Sequence, residues 1–112
     1  MSEAMNSDIK RKCELFERAI GKYPGARARF FTYSLSHKVL VIQLERFNEA
    51  VGLHIACSDV DWLAGPTDWI TQGIQLEYRG AGREMTCILR EAEAGLEVRC
   101  GGFQLMHNVP VR

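Results

Sequence analysis

Apolar residues in the C-terminal third fall on alternate positions. Ile74, Leu76 and Tyr78 alternate with Gln75, Glu77 and Arg79, and Met85, Cys87 and Leu89 with Glu84, Thr86 and Arg90. Leu96, Val98 and Cys100 alternate with Glu97 and Arg99, and Phe103, Leu105 and His107 with Gln104 and Met106. Period two predicts strands with one buried and one wet face. The interruptions at Gly80-Ala81-Gly82, Glu91–Gly95 and Gly101-Gly102 carry turn residues.

Residues opposed across an antiparallel pair share a face, so apolar must meet apolar. Gly101-Gly102 reads as a type I′ hairpin turn, with Cys100 opposite Phe103, Val98 opposite Leu105 and Leu96 opposite His107. A loop over Glu91–Ala94 sets Leu89 against Leu96 and Cys87 against Val98. After Arg79 a four-residue loop sets Arg79 against Glu84. A two-residue turn would instead oppose Glu77 and Glu84, like charge on like charge.

The N-terminus has a different period. Met5, Ile9, Cys13, Phe16 and Ile20 recur at helical spacing, widened by Leu15 and Ala19, opposite Lys10, Arg11, Glu14, Glu17 and Arg18. Ser7 or Asn6 is a cap, and Gly21 and Pro24 end the helix, which predicts a helix over 7–20 behind a disordered 1–6. Glu14 and Arg18 form an i,i+4 pair in the favourable order.

Between these parts, Arg27–Leu35 reads as a strand with Phe31, Tyr33 and Leu35 inward. A turn at Ser36-His37 leads into Lys38–Glu45, with Leu40, Ile42 and Leu44 inward. This register opposes Tyr33 to Leu40 and Phe31 to Ile42. Val39 and Val41 lie on the reverse face. Ala50–Cys57 follows with Val51, Leu53, Ile55 and Cys57 inward and His54 outward. Over 58–73 the alternation fails, slipping at Ser58-Asp59 as at a β-bulge and turning at Gly65-Pro66.

The expected fold is α+β: an N-terminal helix packed on a strongly curved antiparallel meander of six to seven strands over about 27–107, a half-barrel or small barrel. A helix of about four turns covers only part of so wide a sheet, so either strong curvature or a homodimer is needed to cover the rest. A chain of 112 residues corresponds to one domain, 1–112.

Charge and composition narrow the function classes. Fourteen basic residues balance fourteen acidic ones, which argues against strong non-specific attraction to nucleic acid or anionic membrane. The N-terminus has no apolar signal core, and the longest strongly apolar run, Val39–Ile42, is far too short to span a membrane. The expected setting is a bacterial-type cytoplasm with reduced thiols.

Cys13, Cys57, Cys87 and Cys100 are isolated, with no Cys-x-x-Cys pair, and each falls on an inward position. They read as small buried hydrophobes, with no cofactor or metal implied. The sharper alternative joins Cys87 and Cys100 to His107. No nucleophile elbow, phosphate loop, zinc-protease helix or dinucleotide fingerprint is present, so no catalytic residue is assigned. The run Lys22–Tyr33 mixes arginines with aromatics as single-strand binders do, but only Tyr23 and Phe30 are left free to stack.

The irregular segment carries the strongest candidate. Asp59, Asp61 and Asp68 lie close to both tryptophans, Trp62 and Trp69. Tryptophan is enriched in binding hot spots, and long connections often carry function. The carboxylate spacing lacks the regular pattern of a calcium loop. The expectation is a non-catalytic binding or regulatory module that meets a protein partner through Asp59, Asp61, Trp62, Asp68 and Trp69. The rival is a small-ligand pocket or modest enzyme inside the curved sheet, lined by Tyr33, Tyr78 and His107.

Overall fold

The computed structural model describes residues 2–111, with side chains described from Ser7 onward. Helix α1 spans Ser2–Ile20. Nine strands follow: β1 Arg27–Ser34, β2 Val39–Glu45, β3 Val51–Ser58, β4 Trp62–Ala64, β5 Asp68–Ile70, β6 Gln75–Arg79, β7 Thr86–Glu91, β8 Leu96–Cys100 and β9 Gly102–Pro110. The helix begins five residues before the expected cap, and Ser7 lies inside it. Nothing in 2–7 breaks a helix, since neither glycine nor proline occurs there. The expected disorder of 1–6 falls on residues whose side chains lie outside the described set. The predicted stripe holds in part: Phe16, Ala19 and Ile20 are buried and Ile9 and Cys13 half-buried, but Leu15 is exposed, and the Met5 side chain lies outside the described residues.

The strands form two antiparallel sheets, not one curved meander. One is ordered β5-β1-β2-β3-β9 and the other β4-β8-β7-β6. Neither sheet closes or curls, so the half-barrel or small barrel is not formed. Gly101-Gly102 is the reason. It is a corner between sheets rather than a hairpin: β8 pairs with β4 and β7, and β9 pairs with β3. The apolar face that a single sheet would have to curl around is instead covered by a second sheet.

The core draws on both sheets and the helix. Leu40, Ile42, Leu44, Leu53, Ile55 and Cys57 come from the first sheet, and Cys87, Leu89, Leu96, Val98 and Cys100 from the second. Helix α1 packs on β6 of the second sheet, and its Phe16 ring meets Phe103 of β9 edge-on at 5.3 Å. It therefore bridges the two sheets at edge strands of both. At about 25 cal/mol per Å² of apolar surface removed from water, this shared interior is the main stabilising term.

Several registers differ from expectation while keeping the same parity. Cys87 opposes Cys100 and Leu89 opposes Val98, because the loop is Ala92–Gly95. Gly95 sits at φ 73, in the left-handed region, so it closes the turn and cannot serve as a strand residue. Arg79 opposes Thr86, not Glu84, across a loop of 80–85 that contains a 3₁₀ turn at Gly82–Glu84.

In β1 the inward residues are Ala28 and Phe30, and Phe31, Tyr33 and Leu35 are exposed. The register shifts between Phe30 and Thr32. Phe30 takes the place opposite Ile42 that Phe31 was expected to hold, and Phe31 bulges out. Beyond the bulge Tyr33 does oppose Leu40.

Candidate functional site

The structure does not bring the Asp59–Trp69 segment together on one surface. It separates into an exposed part and a buried part, and backbone bonding decides which residue goes where. Val60 N–H donates to Lys38 O at 2.9 Å, and Asp61 N–H donates to Arg99 O at 3.0 Å. These two bonds tie the segment to the β1–β2 turn and to β8. Asp59 is held at φ 52, and its carboxyl lies against Gly101 at the corner between sheets. Asp59, Asp61 and Trp62 are all exposed.

Trp62 is 53% exposed, on edge strand β4 opposite Arg99. The Arg99 guanidinium lies 5.5 Å from the centre of its ring. Arg99 is itself fixed by Glu97 at 2.7 Å, and Glu97 also holds Arg90 at 3.0 Å. Arg90 reaches Glu77 at 2.9 Å, and Glu77 reaches Arg79 at 3.3 Å. The outer face of the second sheet is thus one continuous ladder of alternating charge that ends on the Trp62 ring. Arg99 first, then Arg90, holds the Glu97 carboxyl below its ordinary range through side-chain hydrogen bonds. Ile88, on the same face, is buried beneath the stems of these long side chains.

Trp69 is only 9% exposed. Its ring meets Phe30 edge-on at 5.9 Å, and its indole N–H donates to Glu91 Oε1 at 3.1 Å. Thr71 Oγ1 donates to the same oxygen at 2.6 Å, and Gln72 N–H donates to Glu91 Oε2 at 2.9 Å. Glu91 is a structural anchor that the sequence reading passed over. A signal was available: Glu91 continues the inward series Cys87, Leu89, so it marks a carboxylate on a buried face. Asp68 is exposed and pairs with Arg27 at 2.9 Å, away from Trp62.

The three pocket candidates also part company. Tyr33 is exposed. Tyr78 is half-buried beside Cys87, and burial first, then that thiol, pushes its phenol up. His107 lines a surface groove of about 390 Å³ between α1 and β9, together with Leu15, Phe103 and Leu105.

Cys57, Cys87 and Cys100 do converge, from facing sheets, in the core. Hydrogen bonding from Cys57 and then Cys87 holds the Cys100 thiol below its ordinary range, against the effect of burial. The same contact with Cys100, followed by burial, pushes Cys57 and Cys87 up. His107 is on the other side of the corner from Cys87 and Cys100, in the groove. Among the described residues no group of three His, Cys, Asp or Glu side chains has the arrangement of a metal site.

The basic-aromatic run is inverted relative to expectation. Tyr23 is buried under Arg46, whose guanidinium is 4.9 Å from the ring centre, and Phe30 packs on Trp69. Phe31 stands on the outer face between Arg29 and His54, with ring centres of Phe31 and His54 4.8 Å apart. Gln43, buried on this outer face, satisfies both neighbours when its carbonyl accepts from Arg29 and its amide donates to His54 Nε2 at 2.8 Å. That fixes His54 as the neutral imidazole with its proton on Nδ1.

Among the described residues no helix is long and apolar enough to cross a membrane. Compared with known protein families, with curated proteins and with solved structures, the chain finds no match.

Proposed function

We propose that the protein is a non-catalytic binding module and that it meets a protein partner at the end of the molecule bearing Trp62. The observation that carries this reading is the state of Trp62 itself. A large aromatic ring, half exposed, is held in one orientation by a cation that a carboxylate anchors in turn. An interface gains most from an aromatic that loses little freedom on binding. Leu35, 80% exposed at the tip of the β1–β2 turn, lies at the same end, because Val60 is bonded to Lys38. Asp59 and Asp61, both exposed, lie just before Trp62 in the chain, so the complementary surface offers an apolar pocket with basic groups near it. Trp69 and Asp68 have no part in it.

The test is site-specific photocrosslinking in the native cell from positions 35, 61 and 93. Glu93 is exposed on the β7–β8 turn and serves as the control position. The expected result is one protein captured from 35 and 61 but not from 93, with capture falling about tenfold in Trp62→Ala, the size of a hot-spot loss. Capture that is equal at all three positions, or unchanged in Trp62→Ala, overturns the proposal.

A further inference from the structure

The groove between α1 and β9 combines two features that folding alone does not require together. Its floor is apolar: Leu15, 44% exposed, lines it from the helix and Phe103 and Leu105 from the edge strand. The floor is firm, since Phe103 is braced edge-on by Phe16, which is fully buried. Its rim is cationic, with Lys12 and Arg18 from the helix and Lys22 from the turn just after it. Lys12 shares its charge with Asp8 at 3.2 Å, whereas Arg18 and Lys22 meet no carboxylate among the described residues.

Cations near a helix C-terminus also offset the helix dipole. That explains Arg18 and Lys22 in part. It does not explain Lys12, two turns earlier, nor why an apolar floor lies open beside them. The dipole opposes an anion at this end only within the last turn and weakly, so the side-chain charges dominate. A volume of about 390 Å³ is at the small end of ligand sites.

We propose that this groove binds a small anion with an apolar body, of the medium-chain carboxylate class: the chain lies on Leu15, Phe103 and Leu105, and the carboxylate meets Arg18 and Lys22. The site is independent of the Trp62 surface. The unpaired side of β9 and the His107 imidazole supply further hydrogen-bonding groups along the chain's path.

The experiment is a ¹H–¹⁵N NMR titration of the full chain with decanoate, below its micelle-forming range. Acetate and decyltrimethylammonium serve as head-only and reversed-charge probes. Decanoate is expected to move the amides of Leu15, Ala19, Phe103 and Leu105 and to saturate, while neither comparison probe does so. Arg18→Glu with Lys22→Glu is expected to weaken decanoate at least about tenfold while leaving the dispersion of the remaining spectrum intact. Arg18→Gln with Lys22→Gln gives a milder version should the reversal disturb folding. No response to decanoate, equal response to the cationic amphiphile, or undiminished binding in both variants overturns the proposal. So does displacement of decanoate by an acidic amphipathic peptide of clearly higher affinity, which would make the groove a peptide site.

Discussion

Glu91 is the one charged side chain that is buried among the described residues, and three donors converge on it. Removing an acceptor that leaves buried donors unpaired costs more than the net worth of the bonds. Glu91→Ala is therefore expected to destabilise by about 3 kcal/mol, and Glu91→Gln, which keeps an acceptor oxygen, by about 1–2 kcal/mol. Urea unfolding followed by tryptophan fluorescence measures both, and equal costs would show that the charge and its donors are not what matters. His54 gives a second residue-level test. Burial first, and Arg29 second, hold its pKa below the ordinary 6.5. The unfolded chain then binds more protons than the folded one, so stability falls as pH drops through and below 6.5. Protonation also places a donor where the Gln43 amide already donates. Between pH 7 and pH 5 the wild type is expected to lose stability more steeply than His54→Gln, and parallel curves would refute the assignment.

Among the elements, loops rather than strands decide the pairing. Alternation places Leu76, Leu89, Val98 and Leu105 inward correctly, but a register shift of two leaves every side chain on the same face. Only turn geometry separates the choices. Gly80 sits at φ +95, and a Cβ there would come within 2.4 Å of the Glu84 carbonyl oxygen, whereas at Gly95 a Cβ meets nothing within 4 Å. Gly95→Ala should thus cost only the left-handed strain, about 1–2 kcal/mol. Gly80→Ala adds a backbone clash and should cost clearly more, or force the 80–85 loop to move, as amide shifts over those residues would report. The Gly101-Gly102 corner was illegible for a related reason: a hairpin and a corner both send Cys100 and Phe103 into the same interior. The bulge at Phe31 was hidden by two adjacent phenylalanines, which carry no alternation. Trp62 and Trp69 lie where the period fails, so nothing in the pattern distinguished the exposed ring from the buried one. The partners that make the distinction, Arg99 and Glu91, are distant in sequence.

On the scale of the whole molecule, the balanced formal charge conceals an uneven surface. The second sheet turns a charge ladder outward, while the first turns out Phe31, Val39 and Val41 around the Arg29–Gln43–His54 cluster. What joins these unlike halves is a core in which Cys57 of one sheet meets Cys87 and Cys100 of the other. That contact makes the thiols a reporter of whether the sheets stay together. A thiol reagent needs both access and thiolate. Cys57, Cys87 and Cys100 are buried, while Cys13 on the helix is only half-buried. Burial, followed by Glu17 and Glu14, pushes the Cys13 thiol up, so its labelling should be slow but not blocked. One thiol of the four is expected to react in native conditions and all four in denaturant. The three core thiols should become reactive together, at the rate at which the two sheets separate. A Cys87 or Cys100 that labelled well before Cys57 would mean that the β4-β8-β7-β6 sheet opens alone, and the single interior inferred from the packing would have to be divided in two.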